Sequence, residues 1–69
     1  MTQVSLQVPE VHCDHCKTSI EGAVSQLPGI ESVDVAISDA SVTVEYDADT
    51  IDLKQIKNTI EEQGYAVFG

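Results

Sequence analysis

The sequence predicts an α+β domain with the order strand, helix, strand, strand, helix, strand, and three observations carry that expectation. Apolar residues alternate with a period of two in three segments and recur at helical spacing in two others. Pro9, Pro28-Gly29 and Gly64 punctuate the segments. The chain of 69 residues is long enough for a single domain, spanning 1–69, with a modest core. Each half then reads as a βαβ-like unit. The two together make the split βαβ plan of ferredoxin-like domains, a four-stranded antiparallel sheet with two helices on one face.

The elements follow in order. Val4, Leu6 and Val8 alternate with Gln3, Ser5 and Gln7 in a half-buried first strand, which Pro9 ends because it has no N–H for a ladder. From about His15, the residues Cys16, Ile20, Ala23, Val24 and Leu27 share a helical face. Asp14 suits the start of this helix as a cap or first-turn acid. Gly22 costs it about 1 kcal/mol relative to alanine, so a close packing contact is expected there. The second strand is expected over Ile30 to Ser38 and the third over Ser41 to Tyr46, joined by a short Asp39-Ala40 turn that lacks the glycine a tight hairpin prefers. Asp52 and Gln55 form a capping-box pattern ahead of Leu53, Ile56 and Ile60, and Gly64 is the expected helix stop. Tyr65 to Phe68 suits a short final strand.

Charge narrows the function classes. Twelve acids against three lysines give a formal net charge of −9. That argues against a nucleic-acid partner or an anionic membrane surface and favours a partner with a positive docking patch. No apolar run approaches bilayer-spanning length, and the N-terminus lacks the basic start of a signal peptide, so the chain reads as cytoplasmic. Two cysteines in a reducing compartment do not make a disulfide framework.

Both cysteines and both histidines fall within His12-Cys13-Asp14-His15-Cys16. On the predicted plan they occupy the first loop and the first turn of the first helix, where backbone N–H groups and the helix dipole favour thiolates. Lys17 adds a little positive charge there and Asp14 opposes it. Thiolates serve metal binding and dithiol redox exchange alike. A thioredoxin-like dithiol usually follows an aromatic residue, whereas His12 precedes Cys13. A closed structural zinc site wants a second ligand pair, which the chain lacks. Two exposed thiolates suit a soft ion such as Cu(I) in an open site. The sequence holds no nucleophile–base pair and no phosphate loop, so an enzyme reading has no residues to stand on.

With these residues in view, nearly the whole chain resembles the heavy-metal-associated domain family, which includes small bacterial copper chaperones and N-terminal modules of metal-transporting P-type ATPases. The resemblance rests on Cys13-Asp14-His15-Cys16 after a first strand, Leu27-Pro28-Gly29-Ile30, Val33-Asp34-Val35, Val42-Thr43-Val44 and Gly64-Tyr65. It implies a ferredoxin-like fold that binds Cu(I) through Cys13 and Cys16 and passes it by thiolate exchange to a similar domain, such as that of a P-type ATPase. It also implies that Tyr65 lies beside the metal. Two departures stand out. Glu10-Val11 replaces the family's Gly-Met, and His12 replaces a small hydroxyl residue. His12 is therefore a candidate third ligand that would widen the metal choice toward Zn(II) or another divalent ion, and His15 is a further candidate, more often found beside the metal than on it. A monomer or a metal-bridged dimer is compatible with this reading. A dithiol redox protein is the alternative of a different class.

Overall fold

Five of the six expected elements form as regular structure in a computed structural model of the chain, which describes residues 2–68. They are β1 (Thr2–Gln7), α1 (Asp14–Ser25), β2 (Ile30–Ala36), β3 (Ser41–Tyr46) and α2 (Leu53–Glu62). β3 lies between β1 and β2 and is antiparallel to both. β1 and β2 therefore run parallel, with α1 as their crossover and β3 inserted between them, which is the split βαβ unit.

Register explains the core. Val4, Val44 and Val33 lie across from one another, and Leu6, Val42 and Val35 form the next row. Ile20 and Val24 of α1 and Ile56 and Ile60 of α2 join these rows in one buried cluster with Val8, Val11, Tyr46 and Ile51. At about 1.5–3 kcal/mol for each fully buried aliphatic side chain, this cluster is what holds the helices to the sheet.

One irregularity keeps the pattern in phase. Ile30 and Val33 are three residues apart, so strict alternation would send them to opposite faces. A register shift between Ile30 and Ser32 makes Glu31 an extra residue, and Ile30 then lies opposite Tyr46 while Val33 lies opposite Val44. Both pack against the core.

The hairpin differs from expectation. β2 stops at Ala36 rather than Ser38, and the loop spans 37–40 instead of Asp39-Ala40 alone. Its turn is closed by the Ala40 N–H donating to the Ile37 carbonyl at 3.1 Å, with Ala40 at φ 51. A two-residue type I′ turn needs left-handed backbone at both central positions, which this pair without glycine resists. The longer loop confines that conformation to Ala40, whose carbonyl accepts the Val8 N–H at 2.8 Å and fixes the end of β1.

The expected fourth strand does not form among the described residues, and the sheet is three-stranded. Gln7 and Phe68 exchange two backbone hydrogen bonds of 2.7 Å as an isolated bridge. The ladder cannot extend toward the following loop. The Val8 N–H is committed to Ala40, Pro9 has none, and the Ala66 N–H is taken by the Glu10 carboxylate at 2.8 Å. No helix among the described residues is long and apolar enough to cross a membrane.

The two glycines of the first half have opposite roles. Gly29 sits at φ +85, and a Cβ there would meet the Thr50 Cβ at 2.8 Å. Gly22 marks no packing contact, since nothing lies within 4 Å of its would-be Cβ. Gly22→Ala should therefore raise the stability of the metal-free protein by up to about 1 kcal/mol through helix propensity. Gly29→Ala should lower it by about 2–4 kcal/mol through backbone strain and overpacking. Urea unfolding followed by circular dichroism would separate them, and an equal effect of the two would contradict this assignment.

Candidate metal centre

The start of α1 builds the site. Cys13 is the N-cap residue, with extended backbone at φ −153 and ψ 164, and its side chain makes no capping hydrogen bond. Cys16 lies three positions further on, in the first turn. The same two positions of α2 are Asp52 and Gln55, which cap each other. The Gln55 N–H donates to the Asp52 carboxylate at 2.9 Å and the Asp52 N–H donates to the Gln55 side chain at 3.5 Å. In α1 the spacing that serves a capping box brings two free thiols together instead, with Sγ–Sγ at 3.1 Å. The first-turn N–H groups are left without a side-chain acceptor at the cap, so the two sulfurs lie at a helix end that no capping side chain occupies. Asp14, in the first turn, supports the helix.

Cys13 is exposed and Cys16 half-buried. The Cys16 thiol is held below its ordinary pKa, chiefly by the Tyr65 hydroxyl and next by the Cys13 thiol. Partial desolvation pulls the other way, and the backbone and charge of His12 add smaller downward effects. Tyr65 is raised in turn, first by its interaction with Cys16 and then by desolvation, so the phenol keeps its proton as a donor. Lys17 is not among the causes acting on Cys16.

The histidines stand apart from the thiol pair. The His12 Nδ1 lies 2.6 Å from the Glu10 carbonyl. A carbonyl only accepts, so Nδ1 is the donor in this contact. His15 is exposed on the first turn of α1. No group of three or more His, Cys, Asp or Glu side chains converges among the described residues, so Cys13 and Cys16 are paired without a third such donor. Val11, in the place of the family's Met, is buried beneath the loop and its N–H donates to the Val8 carbonyl at 3.0 Å. Sequence reasoning missed Glu10, whose carboxylate partner Ala66 is 56 residues away. Only its unexpected presence in place of glycine marked the position.

Because folded Cys16 gives up its proton at lower pH than an unfolded thiol, this linkage stabilises the metal-free fold above the unfolded thiol's pKa. The gain is lost as pH falls through the folded value. Tyr65→Phe removes the largest cause. The pH profile of Cys16 alkylation should shift upward in that variant, and an unmoved profile would show that the phenol does not set the thiol's acidity.

Comparison with known proteins agrees with this geometry. The copper chaperone CopZ of Staphylococcus saprophyticus is 39% identical over 67 residues, covering 97% of this chain and 98% of that protein. The solved structure of a CopZ metallochaperone matches with a TM-score of 0.93 at 38% identity, over 96% of this chain and 98% of that one. A copper-binding domain of the P-type ATPase HMA7 matches with a TM-score of 0.92 at 25% identity, over 97% and 90%. The model of the heavy-metal-associated domain matches residues 5–66. The three-stranded sheet with its two helices is thus the ferredoxin-like scaffold of these proteins, and the chain belongs to the heavy-metal-associated domain family.

Proposed function

We propose that this chain is a cytoplasmic metal carrier that binds Cu(I) through Cys13 and Cys16 and passes it to a partner metal-binding domain. The observation that carries this reading is the uncapped start of α1, where two free thiols face each other at 3.1 Å with no third His, Cys, Asp or Glu converging among the described residues. Two thiolates suit a soft ion that tolerates low coordination, and an ion held so openly is accessible to attack. The naming of the relatives as copper chaperones supports the same cargo.

Loading requires the sulfurs to part. With bonds of about 2.3 Å, even a tetrahedral ion holds its sulfurs about 3.8 Å apart. Exposed Cys13, which is tied to no cap, is the residue free to move. Transfer is then ligand exchange. A partner thiolate adds to the ion, one of the two cysteines leaves as thiolate, and copper keeps its oxidation state throughout. The net charge of −9 steers the carrier toward a basic docking surface, as on a metal-binding domain of a P-type ATPase. The metal-free chain acts as a monomer, and a shared ion would bridge two copies.

A divalent-ion variant of this reading rests on His12. Its Nδ1–H is held by the Glu10 carbonyl, the arrangement that presents Nε2 to a metal. Movement of the loop would bring it to the thiols as a third ligand for Zn(II), with His15 the remaining candidate.

Cys13→Ser and Cys16→Ser should each weaken Cu(I) binding under a competing chelator by more than about a hundredfold, beyond the loss expected from a neighbouring group alone. Cys13→Ser should also stabilise the metal-free protein by roughly 0.5–1 kcal/mol, because serine caps the helix that cysteine leaves open. Unchanged Cu(I) affinity in both variants would exclude the carrier reading, and efficient disulfide reduction by the metal-free protein would favour a redox one. His12→Ala should lower Zn(II) affinity and spare Cu(I); if both affinities are untouched, His12 is not a ligand.

A further inference from the structure

Glu10 grips both flanks of the thiol loop. Its carbonyl accepts the His12 Nδ1–H at 2.6 Å, and its carboxylate accepts the Ala66 N–H at 2.8 Å. Ala66 directly follows Tyr65, which packs against the same core as Cys16. Two residues beyond Ala66, Phe68 is bridged to Gln7. The segment 65–68 is thus tied to the strand end and loop at two backbone points, and the Glu10 contact is the one nearer Tyr65. On the other side lies Gly64, at φ +97 with nothing within 4 Å of its would-be Cβ. A glycine in open space does not restrain the residue after it.

We propose that Glu10 is a positioning residue for metal transfer, holding Tyr65 against Cys16 and so setting how quickly bound Cu(I) is released to an attacking thiol. This rests on the reading of Cys13 and Cys16 as the Cu(I) pair. A carboxylate accepting a backbone N–H makes a charge-assisted bond, stronger than its neutral counterpart. Glu10 is exposed and lies outside the core, so its contribution is to the placement of the segment rather than to the packing of the fold. Without the Glu10 contact, the Ala66 N–H turns to water and Tyr65 swings on Gly64 and the Gln7–Phe68 bridge, leaving one side of Cys16 open to an incoming ligand.

The test uses Glu10→Ala, Glu10→Gln, Tyr65→Phe and the Glu10→Ala/Tyr65→Phe double variant. In the metal-free protein, Ala66 amide exchange followed by NMR should be roughly tenfold faster in Glu10→Ala, the scale of one lost charged hydrogen bond. Glu10→Gln, which keeps an acceptor oxygen but not the charge, should fall between wild type and Glu10→Ala. Cu(I) release to bathocuproine disulfonate should quicken by a similar factor in Glu10→Ala, be partly rescued in Glu10→Gln, and be no faster in the double variant than in Tyr65→Phe. Equal acceleration by Glu10→Ala in both Tyr65 backgrounds would overturn the positioning role, as would Glu10 variants that release at the wild-type rate from a normally loaded protein. Wild-type protein that takes up no Cu(I) would instead overturn the carrier reading itself.

Discussion

The missing cap at the start of α1 is the constraint on which the rest of this structure depends. A helix N-terminus has four N–H groups without intrahelical partners, and a good capping side chain contributes about 1 kcal/mol by satisfying one of them. α2 follows that rule through Asp52 and Gln55. α1 breaks it by placing cysteines at the same two positions, and the fold supplies its hold elsewhere. Val11 is 1% exposed beneath the loop, Ile20 and Val24 anchor the helix in the core, and the Lys17 N–H closes the first helical turn on the Cys13 carbonyl at 3.1 Å. The backbone that carries the thiols is thereby held by groups that make no use of the sulfurs. Their chemistry stays free for an ion.

Most of the scaffold was legible because it rests on local signals. Alternation in β1, β2 and β3 and the capping box of α2 are each written within a few residues of where they act. The Cys-x-x-Cys pair was legible for the same reason, since one helical turn brings its ends together. What the sequence could not disclose depends on distant partners or on competition for backbone groups. The final strand failed because the Ala66 N–H found a carboxylate rather than a ladder. Gly22 resembled a packing position, yet its open surroundings depend on how neighbouring elements lie around α1. The histidines looked equivalent to the cysteines by composition alone. Their place on the loop and the family resemblance already separated them, and the structure adds the His12 ring's bond to the Glu10 carbonyl and the lack of a converging third donor among the described residues.

Tyr65 shows how a short C-terminal segment serves a site built at the other end of the chain. Its phenol stays protonated because the same contact that lowers the Cys16 pKa raises its own. Donor and acceptor are thereby matched: the sulfur is favoured as thiolate and the hydroxyl as the group that faces it. The match needs only a single bridge at Gln7 and a side-chain contact at Glu10, which is less than a full strand would supply. Fewer backbone bonds leave this segment easier to displace than the sheet, while the core beneath it is undisturbed.

The Glu31 bulge has a consequence beyond keeping Ile30 and Val33 in phase. β2 is an edge of the sheet, and an edge strand offers its unpaired N–H and C=O groups as a template for strand addition. A bulge twists that edge out of line, and exposed Asp34 adds charge along it. A foreign strand laid against β2 would meet an interrupted register and an acidic border. The irregularity that completes the core therefore also makes this edge a poor template for strand addition.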